Sequence, residues 1–222
     1  GYLAYDSELS GKNPGVLIVH QWMGLTDYEK HRARQLAELG YVAFALDMYG
    51  VDNRPENTKE ASALSGKFGK DRQLMRNRAA AGLDQLRQQE GVDTDQIAVM
   101  GYCFGGGVAL ELARSGADLA GTVSFHGTLS SPNTEDAKNI NGKVLVLHGA
   151  ADPHVDQKAV MDFWDEMENA DVDWQMNAYG GAVHAFTQQA AGDDPSNGAA
   201  YDAQADRRSW ESMKRFYEEI FE

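Results

Sequence analysis

Apolar residues in this chain gather into short dense runs separated by longer amphipathic stretches. Val16 to His20 (VLIVH) follows a Pro14-Gly15 turn and is a short, β-branched apolar run, the pattern of a strand buried on both faces of a parallel sheet. Next comes "DYEKHRARQLAELG", where Ala33, Leu36 and Ala37 form a helical stripe that ends at Gly40, with Asp27 as the expected cap. Tyr41 to Leu46 predicts the next strand. The polar stretch from Asp47 to Lys70 carries little periodic signal, whereas Leu74, Met75, Ala79, Leu83 and Leu86 lie on helical spacing and predict a helix from Asp71 to Glu90.

The alternation continues to the end of the chain. Strands are expected at Ile97–Met100, Ala120–Phe125, Val144–His148 and Val172–Tyr179, and helices at Phe104–Arg114, Val155–Ala170 and Tyr201–Phe221. Gly192 to Gly198 (GDDPSNG) reads as a loop. Strands alternating with helices specify an α/β fold with a mostly parallel central sheet covered by helices on both faces. With no linker or repeat, 1–222 reads as a single domain.

Composition narrows the partners. Lys and Arg total 20 against 34 Asp and Glu, a net charge of −14, which disfavours nucleic acid and anionic membrane surfaces. No apolar run approaches the roughly 20 residues that span a bilayer, and the opening residues do not read as a signal peptide. A lone cysteine cannot form an intrachain disulfide and fits a reducing compartment, so a cytoplasmic location is expected.

That cysteine, Cys103, stands in "AVMGYCFGGGVALELA", where a strand runs directly into a helix with glycine two residues to either side. The spacing matches a nucleophile elbow, a sharp turn that lifts the central side chain out of the sheet beside a helix N-terminus. The glycine run does not satisfy G-x-G-x-x-G in the order a dinucleotide loop requires. A thiol with an ordinary pKa of about 8.5 needs a base held by an oriented acid. Asp152 in "LHGAADPHV" and His184 in "YGGAVHAFT" follow later strands in the order nucleophile, acid, base. Asp156 is a poorer acid, since it falls at the start of the next helix. Asp152, His154 and Asp156 alternate like metal ligands, but with no HExxH and no second cysteine no metal site is expected.

On "VLIVHQWMGLTDY", "GYCFGGG", "LHGAADPHV" and "GGAVHAFT", the chain resembles the dienelactone hydrolase family of the α/β-hydrolase fold along nearly its whole length. The resemblance implies hydrolysis of a small-molecule ester or lactone without a cofactor; whether the chain acts as a monomer or a homodimer is left open by the sequence. It makes Cys103 the nucleophile, His184 the base, Asp152 its orienting acid, and the backbone N–H groups of Trp22 and Phe104 the oxyanion hole. Where the family commonly reads His-Glu, this chain has His20-Gln21, and glutamine cannot take up a proton to activate the thiol. Where dienelactone-specific members place an arginine after the histidine, this chain reads Ala185-Phe186-Thr187. Gln21, Arg76, Arg78, His126 and Phe186 are therefore candidate substrate contacts, with Tyr49, Phe68 and segment 51–70 as further candidates for the pocket lining. Hydrolysis of another acyl bond such as a thioester, or a thiol sensor without turnover, are the alternatives on the same fold.

Overall fold

The computed structural model describes Gly1–Glu222. Seven strands form one sheet: β1 (Tyr2–Ala4), β2 (Asn13–Val19), β3 (Val42–Leu46), β4 (Val92–Tyr102), β5 (Gly121–Phe125), β6 (Lys143–Gly149) and β7 (Trp174–Tyr179). Their spatial order is β1-β3-β2-β4-β5-β6-β7, all parallel except β1, which runs antiparallel to β3 with Tyr2 opposite Ala45. Six helices cover it: α1 (Asp27–Glu38), α2 (Thr58–Lys70), α3 (Arg72–Arg87), α4 (Phe104–Arg114), α5 (Gln157–Asn169) and α6 (Ala203–Ile220).

Side-chain alternation explains why the strand runs are apolar without a break. In β2, Val16 and Ile18 pack on one face with Leu36 of α1 and Met213, Phe216 and Tyr217 of α6. Leu17 and Val19 pack on the other with Met75, Ala79 and Leu83 of α3 and Val108 of α4. A third cluster joins Leu110 of α4 to Phe163 and Met167 of α5. Between these helices Arg114 is fully buried, bound to Glu166 of α5 and Glu111 of α4, so its charge is compensated on both sides. No helix is long and apolar enough to cross a membrane.

Three features depart from the sequence reading. β1 is too short for any period to register and is defined by its pairing with β3. α2 forms within the stretch of weak periodicity: only Ala61 and Phe68 are buried, and Asn57 caps it by accepting the Glu60 N–H. The cap of α1 is Thr26 rather than Asp27, in a capping box with Glu29.

Candidate active site

The elbow at the carboxyl end of β4 is built on close backbone approaches. A Cβ at Gly101 would lie 2.0 Å from the Gly105 carbonyl oxygen, and one at Gly105 would lie 2.2 Å from the Val19 oxygen, so neither position admits a side chain. Between them Cys103 takes φ 54° and ψ −116°, a left-handed conformation that a non-glycine residue adopts only under external restraint. That restraint is backbone hydrogen bonding: Cys103 N–H donates to Phe125 O at 3.0 Å, and Cys103 O accepts from Gly106 N at 3.0 Å.

The loops after β6 and β7 bring the other two residues to the sulfur. His184 Nε2 lies 3.0 Å from Cys103 Sγ, and Nδ1 lies 2.8 Å from Asp152 Oδ2. The second carboxylate oxygen of Asp152 accepts the His154 N–H at 2.8 Å, which fixes the rotation of the carboxylate. The His184 backbone is clamped by the segment beyond it, donating to Gly198 O and accepting from Ala200 N. Burial opposes charging of the His184 ring, but hydrogen bonds to Asp152 and Cys103 outweigh it and raise the pKa from 6.5 to about 10. Asp156, weighed as an alternative acid, instead caps α5 by accepting the Ala159 N–H at 2.8 Å.

The loop after β2 carries a set of restraints that the sequence reading missed. His20 is fully buried; burial outweighs its bond to Gln21 and lowers its pKa to about 4, so the ring is neutral. Nε2 accepts the Met48 N–H at 3.0 Å, leaving Nδ1–H to donate to Gln21 O. Tyr49 OH donates to Trp22 O at 2.9 Å. In a planar trans peptide the C=O and N–H point in opposite directions, so pinning Gln21 O turns the Trp22 N–H away from the His20 ring. That N–H donates to no backbone or side-chain acceptor. Phe104 opens α4, and its N–H has no carbonyl one turn back inside the helix. Glu29 holds the loop from the other side, accepting from Gln21 N at 3.3 Å and from Thr26 N and Oγ at 2.8 and 2.7 Å. Burial raises its pKa, against the pull of these bonds. The T-x-x-E spacing of Thr26 and Glu29 was the available signal.

A cavity of about 710 Å³ opens over the sulfur, lined by Gln21, Trp22, Cys103, Phe104 and His184. Of the tentative substrate contacts only Gln21 reaches it. Arg76 is bound to Glu111 at 2.8 Å and Asp136 at 2.7 Å and points elsewhere; Arg78 is an exposed residue of α3 outside the lining. His126 is fully buried beneath His184 and bonded to Thr187 Oγ1 at 2.8 Å, and burial holds it neutral. Phe186 is packed against His126 in the core. Tyr49 and Phe68 stack on each other behind the lining. The arginine that does line the cavity is Arg72, at the start of α3, with Glu29 also on the wall.

Comparison with known proteins places this chain among hydrolases. The model of the dienelactone hydrolase family matches residues 1–221. A dienelactone hydrolase-like promiscuous phosphotriesterase from metagenomic libraries is 42% identical with a TM-score of 0.93, covering 98% of this chain and 91% of that one. A solved structure named m3DLH is 41% identical with a TM-score of 0.94 and the same coverage, 98% and 91%. A putative carboxymethylenebutenolidase of Saccharolobus solfataricus is 28% identical over 94% of this chain and 91% of its own.

Proposed function

Because the chain belongs to the dienelactone hydrolase family, and is thereby a hydrolase of carboxylic esters or lactones, we propose that it cleaves them through Cys103, His184 and Asp152 by way of an acyl-cysteine. The observation that carries this reading is the bridging position of His184, 3.0 Å from the sulfur on one side and 2.8 Å from the Asp152 carboxylate on the other.

In the first half of the cycle the Cys103 proton passes to His184 Nε2 and the sulfur attacks the carbonyl carbon. A C–S bond forms and the carbonyl π electrons move onto oxygen. The Trp22 and Phe104 N–H groups receive that oxyanion; one such donor contributes about 3 kcal/mol to a transition state of this kind. Collapse expels the alkoxide, which takes the proton from the His184 imidazolium. In the second half His184 removes a proton from water, hydroxide attacks the thioester, the C–S bond breaks, the carboxylic acid leaves, and the Cys103 sulfur takes the proton back from His184. Asp152 supports the imidazolium and keeps Nε2 facing the sulfur. Gln21 in place of the family's glutamate leaves activation of the thiol to His184, whose raised pKa favours an imidazolium beside a thiolate.

The 42% identity to a promiscuous phosphotriesterase favours a secondary reading, attack of the same sulfur on phosphorus. The primary reading is tested with p-nitrophenyl acetate. Steady release of nitrophenol is expected, with an acyl adduct on Cys103 detected by mass spectrometry after an acid quench. Cys103→Ala is expected to abolish the adduct, and His184→Ala to slow turnover by about 10³-fold. Full activity in either variant would refute it, and a single turnover without steady release would favour the thiol sensor. A p-nitrophenyl phosphotriester run in parallel reads the secondary activity.

A further inference from the structure

The cavity extends beyond the reacting centre, and α2 forms one of its walls. Along that helix Thr58, Ser65, Gly66 and Gly69 face the cavity, while Ala61 and Phe68 are the buried positions. Three physical reasons can place glycine inside a helix: a left-handed backbone, close approach of a neighbour, or a need for empty space. Gly66 and Gly69 have no positive φ. A Cβ built on either meets nothing within 4 Å outside the helix itself. The first two reasons do not apply, and the cavity on that side of the helix points to the third, in a helix that glycine otherwise weakens.

A second observation points independently to a ligand in this space. Gln21 lines the same cavity and is 7% exposed, and its Nε2 has no hydrogen-bond partner. A buried amide donor left unpaired is costly, and because this one is out of contact with solvent, an acceptor from outside the chain reaches it when the Gln21 side chain turns toward the cavity. Most of the exposed area of the wall is apolar, with Trp22, Met23, Met75 and Phe104, and apart from Cys103 and His184 the charged groups on it are Arg72 and Glu29. A volume of about 710 Å³ falls in the range that encloses a drug-sized molecule.

We infer that Gly66 and Gly69 determine substrate size, opening a trough along α2 for an ester or lactone whose non-reacting arm is long and mostly apolar and carries an oxygen that accepts from Gln21 Nε2. The inference rests on the ester-hydrolase reading above and adds the class of substrate to it.

The test compares p-nitrophenyl octanoate with p-nitrophenyl acetate on the full chain, using Gly66→Leu, Gly69→Leu and the Gly66→Ala/Gly69→Ala double variant. Leucine and alanine are both better helix formers than glycine, so the variants fold, and each thermal midpoint should rise by about 2 °C or more. The ratio of kcat/KM for octanoate over acetate should fall about tenfold in the leucine variants through a higher KM for octanoate, and less in the double alanine variant. An unchanged ratio in both leucine variants would overturn the inference. So would equal losses on both esters, which would assign the glycines to helix pliancy rather than to space. A parent chain that turned over neither ester and formed no acyl adduct on Cys103 would instead sink the hydrolase reading itself, and the adduct measurement tells the two failures apart.

Discussion

Asp152→Asn is the most informative single change, because it removes a charge while keeping the shape of the side chain. Asp152 uses both oxygens: Oδ1 accepts from the His154 N–H and Oδ2 from His184 Nδ1, each at 2.8 Å. An amide can satisfy only one of these donors. If its oxygen stays on His154, its NH2 faces His184 Nδ1 and drives the ring to the Nε2–H tautomer, which cannot take the thiol proton. If the amide turns over, two N–H groups confront each other at His154, at a cost of about 1–3 kcal/mol. The charge-assisted bond to His184 contributes about 1.5–3 kcal/mol in addition. The sum, about 2.5–6 kcal/mol at roughly 1.4 kcal/mol per decade, gives an expected loss in kcat/KM of about 10²–10⁴. The assay is steady-state hydrolysis of p-nitrophenyl acetate at neutral pH beside a thermal melt. Asp156→Asn is the control, since it touches only the cap of α5 and should keep its kcat/KM. A loss below tenfold in a folded Asp152→Asn protein would refute the orienting role, and an equal loss in the control would refute the choice of acid.

Two further outcomes follow from the loops around the sulfur. His184 has a folded pKa raised from 6.5 to about 10, so its contribution to stability is complete below pH 6.5 and is lost as pH rises through about 10. The parent chain should therefore lose more denaturant stability between pH 7 and 10.5 than His184→Ala does, and its kcat/KM on an alkyl ester, which needs the imidazolium to protonate the leaving alkoxide, should fall above about pH 10; equal losses of stability in the two proteins would contradict the shift. Glu29→Gln replaces a carboxylate that accepts from Gln21 N and twice from Thr26 with an amide that must turn its NH2 toward one of those donors. Unfolding in urea should show a loss of about 2–3 kcal/mol, with kcat reduced about tenfold and KM little changed as the Trp22 N–H loses its fixed direction; a stability loss with unchanged kcat would reduce Glu29 to a helix cap.

How far the sequence carried this reading depended on whether each signal was local. The strand runs were legible because both faces of the sheet are covered, so VLIV and VLVL are apolar without a break and a polar residue, His20 or His148, comes only at the carboxyl end. The elbow around Cys103 was legible because the turn fixes glycine at Gly101 from within five residues, against Gly105 O, although Gly105 itself is required by the distant Val19 oxygen. The α2 helix was not, because its exposed and cavity-facing sides are polar or small and leave no stripe to read. The substrate contacts were least legible of all. Arg76 and Arg72 lie one turn apart on α3, and only the tertiary positions of Glu111 and Asp136 decide that the first is consumed in ion pairs while the second reaches the cavity. Glu29 was hidden for a related reason: a glutamate in the first turn of a helix reads as solvated, and its burial follows from the Gln21 loop folding back over it.

Around the sulfur the polar groups sort into two sets, and the division explains how the site is prepared before substrate arrives. Groups that must not move are already bonded: the Gln21 carbonyl to His20, the Trp22 carbonyl to Tyr49, the Asp152 carboxylate to His154 and His184, and the Cys103 amide and carbonyl to neighbouring backbone. The Trp22 N–H and Gln21 Nε2 are left without partners, and both belong to residues that line the cavity. A donor fixed in direction but unpaired gains more from an oxyanion than from a neutral carbonyl, because the bond strengthens with the charge on the acceptor and nothing in the protein must reorganise as that charge develops. The strained backbone of Cys103 belongs to the same design: a positive φ costs about 1–3 kcal/mol, and it persists because β4 lies near the centre of the sheet with β2 and β5 hydrogen-bonded on either side. Relaxing that turn would withdraw the sulfur from His184, so the strain can be relieved only by loosening a central strand of the sheet, paired on both sides.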